Sequence, residues 1–212
     1  MSGIFITFEG IEGSGKSTQL ELLAAHLVAR GLDPLVTREP GGTPLGRALR
    51  EALLLPDAEA KARSPLTEAL LMVADRHEHV TRVVAPALAA GRIVLGDRHA
   101  DSTLAYQGGG SGVPRETLEA LNAIAVGTTR PCLTLLFDLP VDQALARMRG
   151  RAGHADRFEA ETTQFHEGVR RAYLELAARE PGRFAVIDAA RSRDDVFADV
   201  RARVEERLAA AS

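Results

Sequence analysis

The stretch Gly10-Ile11-Glu12-Gly13-Ser14-Gly15-Lys16-Ser17 is a complete G-x-x-x-x-G-K-[ST] phosphate-binding loop. Ahead of it, Ile4-Phe5-Ile6-Thr7-Phe8 reads as a buried strand; after it, Thr18-Gln19-Leu20-Glu21-Leu22-Leu23 opens an amphipathic helix. That is the context the motif requires. Its glycines let successive backbone N–H groups turn inward around a polyphosphate, and the helix N-terminus adds positive partial charge. Lys16 is placed to reach the β- and γ-phosphates, and the Ser17 hydroxyl to ligate Mg²⁺. The chain has only two lysines, Lys16 and Lys61, against 24 arginines, so a lysine at this position carries weight.

Working outward, short apolar runs recur at residues 34–37, 92–95, 133–137 and 184–187, nearly continuous in the manner of parallel strands covered on both faces. Helical patterns alternate with them at 17–30, 65–90 with a break near His79, 115–126, 161–178 and 194–208. The expectation is a P-loop α/β fold with a doubly wound, five-stranded parallel sheet, in one domain covering residues 1–212. Residues 39–44, 101–113 and 150–156 read as neither helix nor strand and are expected at the ligand-binding edge.

Composition narrows the function. The hydrophobic fraction is 45% and the net charge −3, which gives no electrostatic case for nucleic acid or a membrane surface. Apolar runs are too short for a bilayer, and the strand that starts at Ile4 leaves no room for a signal peptide. A single cysteine, Cys132, excludes an internal disulfide and a cysteine-based zinc site. The six histidines show no metal-ligand spacing. A cytoplasmic protein is expected.

Three further clusters carry chemistry. Ile93-Val94-Leu95-Gly96-Asp97 is an apolar strand ending in a carboxylate, which beside a phosphate loop reads as the Mg²⁺-side acid; Arg98 follows, placed to grip a second phosphate. Thr37-Arg38-Glu39-Pro40-Gly41-Gly42-Thr43 is a tight turn beside the loop and reads as a substrate contact. Residues 147–157 hold four arginines, Arg147, Arg149, Arg151 and Arg157, around Gly150 and Gly153. That mixture of cations and flexible positions between two helices reads as a lid that closes over transferring phosphate.

Together these segments resemble the thymidylate kinase family. The resemblance rests on F-E-G-I-E-G-S-G-K-S-T from Phe8, T-R-E-P-G-G-T from Thr37, D-R-H-x-x-S-x-x-A-Y-Q-G-G-G from Asp97, D-R-F-E from Asp156 and V-I-D-A from Val186, in family order over nearly the whole chain. It implies phosphoryl transfer from MgATP to dTMP, giving ADP and dTDP for dTTP synthesis, by a homodimer. ATP would be held by Gly10, Ile11, Glu12, Gly13, Ser14, Gly15, Lys16, Ser17 and Thr18, with Mg²⁺ on Ser17 and Asp97. The acceptor would be held by Glu12, Arg38, Pro40, Met72, Arg76, Arg98, Ser102, Thr103, Tyr106 and Gln107. Of these, Arg76 and Gln107 would read the base, and Tyr106 would crowd the sugar's 2′ position. The phosphate loop lacks an arginine, which in the family goes with arginines supplied by the lid, here Arg149, Arg151 and Arg157. Met72 stands where the family usually stacks a phenylalanine on thymine, so weaker stacking is expected. Leu66, Leu70, Val73 and His77 form a candidate dimer stripe, equally readable as core. The rival readings are another or a broader nucleoside monophosphate kinase and a nucleotide-binding switch; for the switch, no N-K-x-D guanine motif occurs.

Overall fold

The computed structural model describes residues 3–54, 63–150, 158–159 and 161–211. Five strands, β1 (Ile4–Glu9), β2 (Leu35–Arg38), β3 (Ile93–Asp97), β4 (Leu133–Asp138) and β5 (Phe184–Asp188), form one sheet in the order β2-β3-β1-β4-β5. Every neighbouring pair is parallel. β1 is central, so its residues from Phe5 to Glu9 are buried on both faces. Phe8 stacks on Phe137 of β4, with ring centroids 5.8 Å apart. Within this layer Thr7 and Thr134 join through a 2.9 Å hydroxyl–hydroxyl bond.

The described helices are α1 (Lys16–Ala29), α2 (Pro44–Leu54), α3 (Pro65–His79), α4 (Ala85–Ala89), α5 (Ala100–Thr103), α6 (Arg115–Val126), α7 (Val141–Arg149), α8 (Thr163–Arg179) and α9 (Arg193–Ala211). Three of them, α2, α5 and α7, are not among the helices expected from the sequence. For α2 a signal is present: Thr43 caps it by accepting from Gly46 N–H at 2.9 Å, and Pro44 occupies its first position. The break near His79 is a π-turn over Val80–Val84, which carries the chain into α4 around Pro86, a residue with no N–H to offer.

The largest correction concerns residues 101–113. Much of this stretch is helical, as α5 continues into a π-helical segment, Leu104–Gly110. Three successive glycines give it poor helix propensity, but tertiary packing overrides that. A Cβ on Gly109 would lie 2.5 Å from the Ala172 Cβ and 2.7 Å from the Gly168 carbonyl, so the glycines let this segment lie directly on α8.

Candidate active site

The phosphate loop links β1 to α1 and depends on glycine for two reasons. Gly13 and Gly15 have φ of 75° and 87°, and a Cβ on Gly13 would meet the Ala144 carbonyl at 2.6 Å. Lys16 Nζ donates to the Ile11 carbonyl at 3.1 Å, folding its ammonium over the loop. Burial, with a smaller push from Arg98, lowers the Lys16 pKa to about 8, despite opposing attraction from Asp97, Glu12 and Glu9. Ser17 Oγ donates to Asp97 Oδ2 at 3.0 Å, which brings the expected metal-side pair together from residues eighty positions apart. The other Asp97 oxygen is buried and has no partner among the described residues.

Arg98 is the one described non-glycine residue with positive φ, 71°, a conformation that costs on the order of 1 kcal/mol or more and persists only when its surroundings enforce it. Here they do. Its backbone N–H bonds to Phe8 O at 3.1 Å, and its guanidinium donates to Glu12 at 2.7 Å, Tyr106 at 3.0 Å, Gly10 O at 3.1 Å and Ser102 at 3.2 Å. Tyr106 also donates to Glu12 at 2.7 Å. Burial acts to raise the Glu12 pKa, but the charges of Arg98 and Lys16 outweigh it and hold the carboxyl below its usual range.

Beyond Arg98 a cleft opens between α2, α3 and α5. Glu12, Pro40, Met72, Arg76, Arg98, Ser102, Thr103, Tyr106 and Gln107 all line it, so nine of the ten residues expected at the acceptor site share one cavity. Arg38 does not line it: its side chain is exposed at the edge of the sheet. On the other side of the phosphate loop, Ser14, Gly15 and Thr18 line a second cavity with Arg147, Arg191 and Arg193. Arg149 is exposed in the last turn of α7. Arg151 and Arg157 lie outside the described residues.

Several residues at the site escape a reading of the sequence. Leu54, Arg50 and Phe158 line the cleft. Glu39 is buried and accepts from Arg76 Nε at 2.8 Å, with His79 Nδ1 at 2.8 Å and His99 Nδ1 at 3.0 Å on its other oxygen. Its own burial opposes ionisation, yet His99, Arg76 and these bonds hold its pKa well below the usual carboxylate range. Glu9 accepts from His99 N–H, Ser102 and Tyr173, at 2.7, 2.6 and 2.8 Å. Burial, then the charge of Asp101, pushes its pKa up to about 7 against the pull of Arg98 and the hydroxyl donors. His166 is buried with Nδ1 3.9 Å from Glu12. Glu39 and Phe158 lie inside segments that the sequence singles out, but their roles, like those of the others, are set by contacts with distant segments that no local signal gives.

A phosphate loop at the head of α1, a carboxylate opposite its serine, and a cleft that meets the loop at an arginine fit a P-loop kinase of the nucleoside monophosphate type. The thymidylate kinase family model matches residues 8–200. The chain is 52% identical over 202 residues to the thymidylate kinase of Pseudomonas putida (strain GB-1), covering 95% of each, and 50% identical over 211 residues to that of Desulfovibrio desulfuricans, covering 97% of this chain and 96% of the other. The crystal structure of thymidylate kinase from Ehrlichia chaffeensis superposes with a TM-score of 0.77 at 31% identity, covering 96% of this chain and 99% of that one. The chain belongs to the thymidylate kinase family.

Proposed function

We propose that the protein transfers the γ-phosphoryl group of MgATP to dTMP, giving ADP and dTDP for dTTP synthesis. The observation that carries this is the junction at Arg98: the acceptor cleft and the phosphate loop share Glu12, whose carboxylate is 2.7 Å from the Arg98 guanidinium. An acceptor phosphate entering the cleft would compete with Glu12 for Arg98 and come to rest beside the loop that holds the donor. The attacking phosphate oxygen is already largely anionic at neutral pH, its second pKa being about 6, so no general base is needed. The chain's task is then to bring two like-charged groups together and neutralise the moving one, through Lys16, Arg98 and the lid arginines Arg149, Arg151 and Arg157.

The donor set at the loop fits Mg²⁺. Ser17 and Asp97 offer hard oxygens, and the unpartnered Asp97 oxygen is the orphan a cation would satisfy. Among the described residues no group of three or more His, Cys, Asp or Glu could hold a metal, which suits an ion carried in with the nucleotide. When bound, Mg²⁺ supplies charge neutralisation at the donor phosphates.

The remaining roles follow the cleft. Arg76 and Gln107 read the base with Thr103 and Ser102 beside them, Pro40 and Met72 cover it, and Tyr106 crowds the sugar; Arg38 would have to reach in from the sheet edge. The proposal includes one catalytic domain with a lid near 147–157 and a cytoplasmic homodimer. Leu66 and Leu70 of α3, 44% and 47% exposed, support a second copy on that face, while Val73 of the same stripe is core. No described helix is long and apolar enough to cross a membrane.

The test is acceptor-dependent ADP release from MgATP with dTMP, dUMP, dCMP, dGMP and UMP in parallel. Strong preference for dTMP is expected. Equal use of all acceptors would replace this reading with a broad nucleoside monophosphate kinase, and ATP binding without any acceptor-dependent ADP would sink the enzyme.

A further inference from the structure

Within the cleft, the wall formed by Arg76 and Gln107 is held by two carboxylates to which the resemblance assigns no role: Glu39, which also lines the cleft, and Glu68. Arg76 is 2% exposed and has five N–H donors. Four are spent inside the protein: Nε on Glu39 at 2.8 Å, Nη1 on Thr103 at 2.9 Å and Asn122 at 2.7 Å, and Nη2 on the His99 carbonyl at 3.0 Å. One Nη2 N–H remains for a ligand. Gln107, also buried, donates from Nε2 to Glu68 Oε1 at 2.8 Å. Glu68 lies in the first turn of α3, and its carboxyl oxygen accepts from the Gln107 amide. The amide therefore has to turn its N–H end to Glu68, which leaves its oxygen for the cleft that Gln107 lines.

We propose that Glu68 and Glu39 set the hydrogen-bond polarity of the base-reading wall, Glu39 by fixing where the Arg76 donor stands and Glu68 by fixing which end of Gln107 faces the ligand. One donor beside one acceptor matches a ring carbonyl next to a ring N–H, as in the 4-keto pyrimidines. A 4-amino pyrimidine would set its amino group against the Arg76 N–H and its bare ring nitrogen against the Gln107 oxygen, and a site of buried, committed polar groups rejects such a mismatch strongly. Both carboxylates are positioning residues, acting through Arg76 and Gln107. The inference rests on the dTMP reading of the cleft and adds how cytosine is refused.

The experiment compares kcat/KM for dTMP, dUMP and dCMP in the wild-type protein and in Glu68→Gln. A glutamine at 68 can offer either end of its amide, so Gln107 becomes free to invert. The dTMP-to-dCMP ratio should fall at least about tenfold, because a hydrogen-bonding mismatch has been relieved. The dTMP-to-dUMP ratio and the KM for ATP should stay put, since both keto bases present the same edge. A merely structural defect would lower all acceptors together, and that result, or an unmoved dTMP-to-dCMP ratio, overturns the proposal. Should Glu68→Gln fail to fold, Gln107→Leu must produce the same selective collapse, and a retained ratio there overturns it equally. A wild-type protein that already prefers dCMP refutes the dTMP reading itself, before any variant is made.

Discussion

At the end of the cleft proposed to hold phosphate, the groups come from one eight-residue loop with Asp97 and Arg98, whereas at the end proposed to hold the base a single side chain, Arg76, is tied to residues 37, 27 and 46 positions away. The first arrangement is nearly local: backbone N–H groups and a helix terminus are delivered by the turn itself. The second exists only once α3, α5, α6 and the turn after β2 have packed together. The difference teaches where failure should appear. Damage at the phosphate end should stop the chemistry, and damage at the base end should change which acceptor is used.

The largest effect is expected for Lys16→Met. It removes the ammonium proposed to meet the donor phosphates, and kcat should fall on the order of a hundredfold to a thousandfold. Circular dichroism and melting should show the chain still folded, since Lys16 is replaced by a side chain of similar length. Loss of fold with loss of activity would mean that the buried ammonium is structural.

Arg98→Ala comes next and sharpens the comparison, because Arg98 stands where the two ends meet. The KM for dTMP should rise and turnover fall, together lowering kcat/KM by roughly a hundredfold, while the KM for ATP moves little. Steady-state kinetics with each substrate varied in turn would check this. Unchanged dTMP kinetics would contradict the acceptor-phosphate role.

A third prediction separates the ends by pH. The folded chain keeps Glu9 protonated up to about 7, while an unfolded chain releases that proton near 4.5. Its contribution to stability is therefore present below pH 4.5 and is lost as pH rises through 7, on a scale where a tenfold change in proton affinity is worth about 1.4 kcal/mol. Urea unfolding at pH 5 and 7.5 should show a larger loss across that window for the wild type than for Glu9→Gln. Parallel losses would show that Glu9 is already ionised in the folded chain.

The smallest effect belongs to the base end. Met72→Phe should lower the KM for dTMP by roughly threefold to tenfold, the scale of an aromatic stacking gain. Any loss of dTMP affinity would indicate that the cleft is shaped around the thinner methionine.

How much of this was legible in the sequence follows the same division. The loop, Asp97 and Arg98 were readable because each carries its own local signal, a contiguous motif for Ser17 and a strand-end carboxylate for Asp97, even though the two meet from eighty positions apart. The sheet was readable from its apolar runs. Residues 104–110 misled, since Gly108, Gly109 and Gly110 signal a loop locally, whereas in the fold Gly109 and Gly110 serve close approach to α8. Glu39 sat in plain view inside the T-R-E-P-G-G-T turn, yet nothing local says that it binds Arg76, His79 and His99. Glu68 carried no signal, because its partner Gln107 is 39 residues away.

The most direct test of one cleft with two ends is a crystal structure of the protein with dTMP. The acceptor phosphate is predicted on Arg98 in place of Glu12, with the thymine 4-carbonyl on Arg76 and its ring N–H on the Gln107 oxygen. A base seated away from Arg76, or a phosphate bound clear of Arg98, would contradict the account.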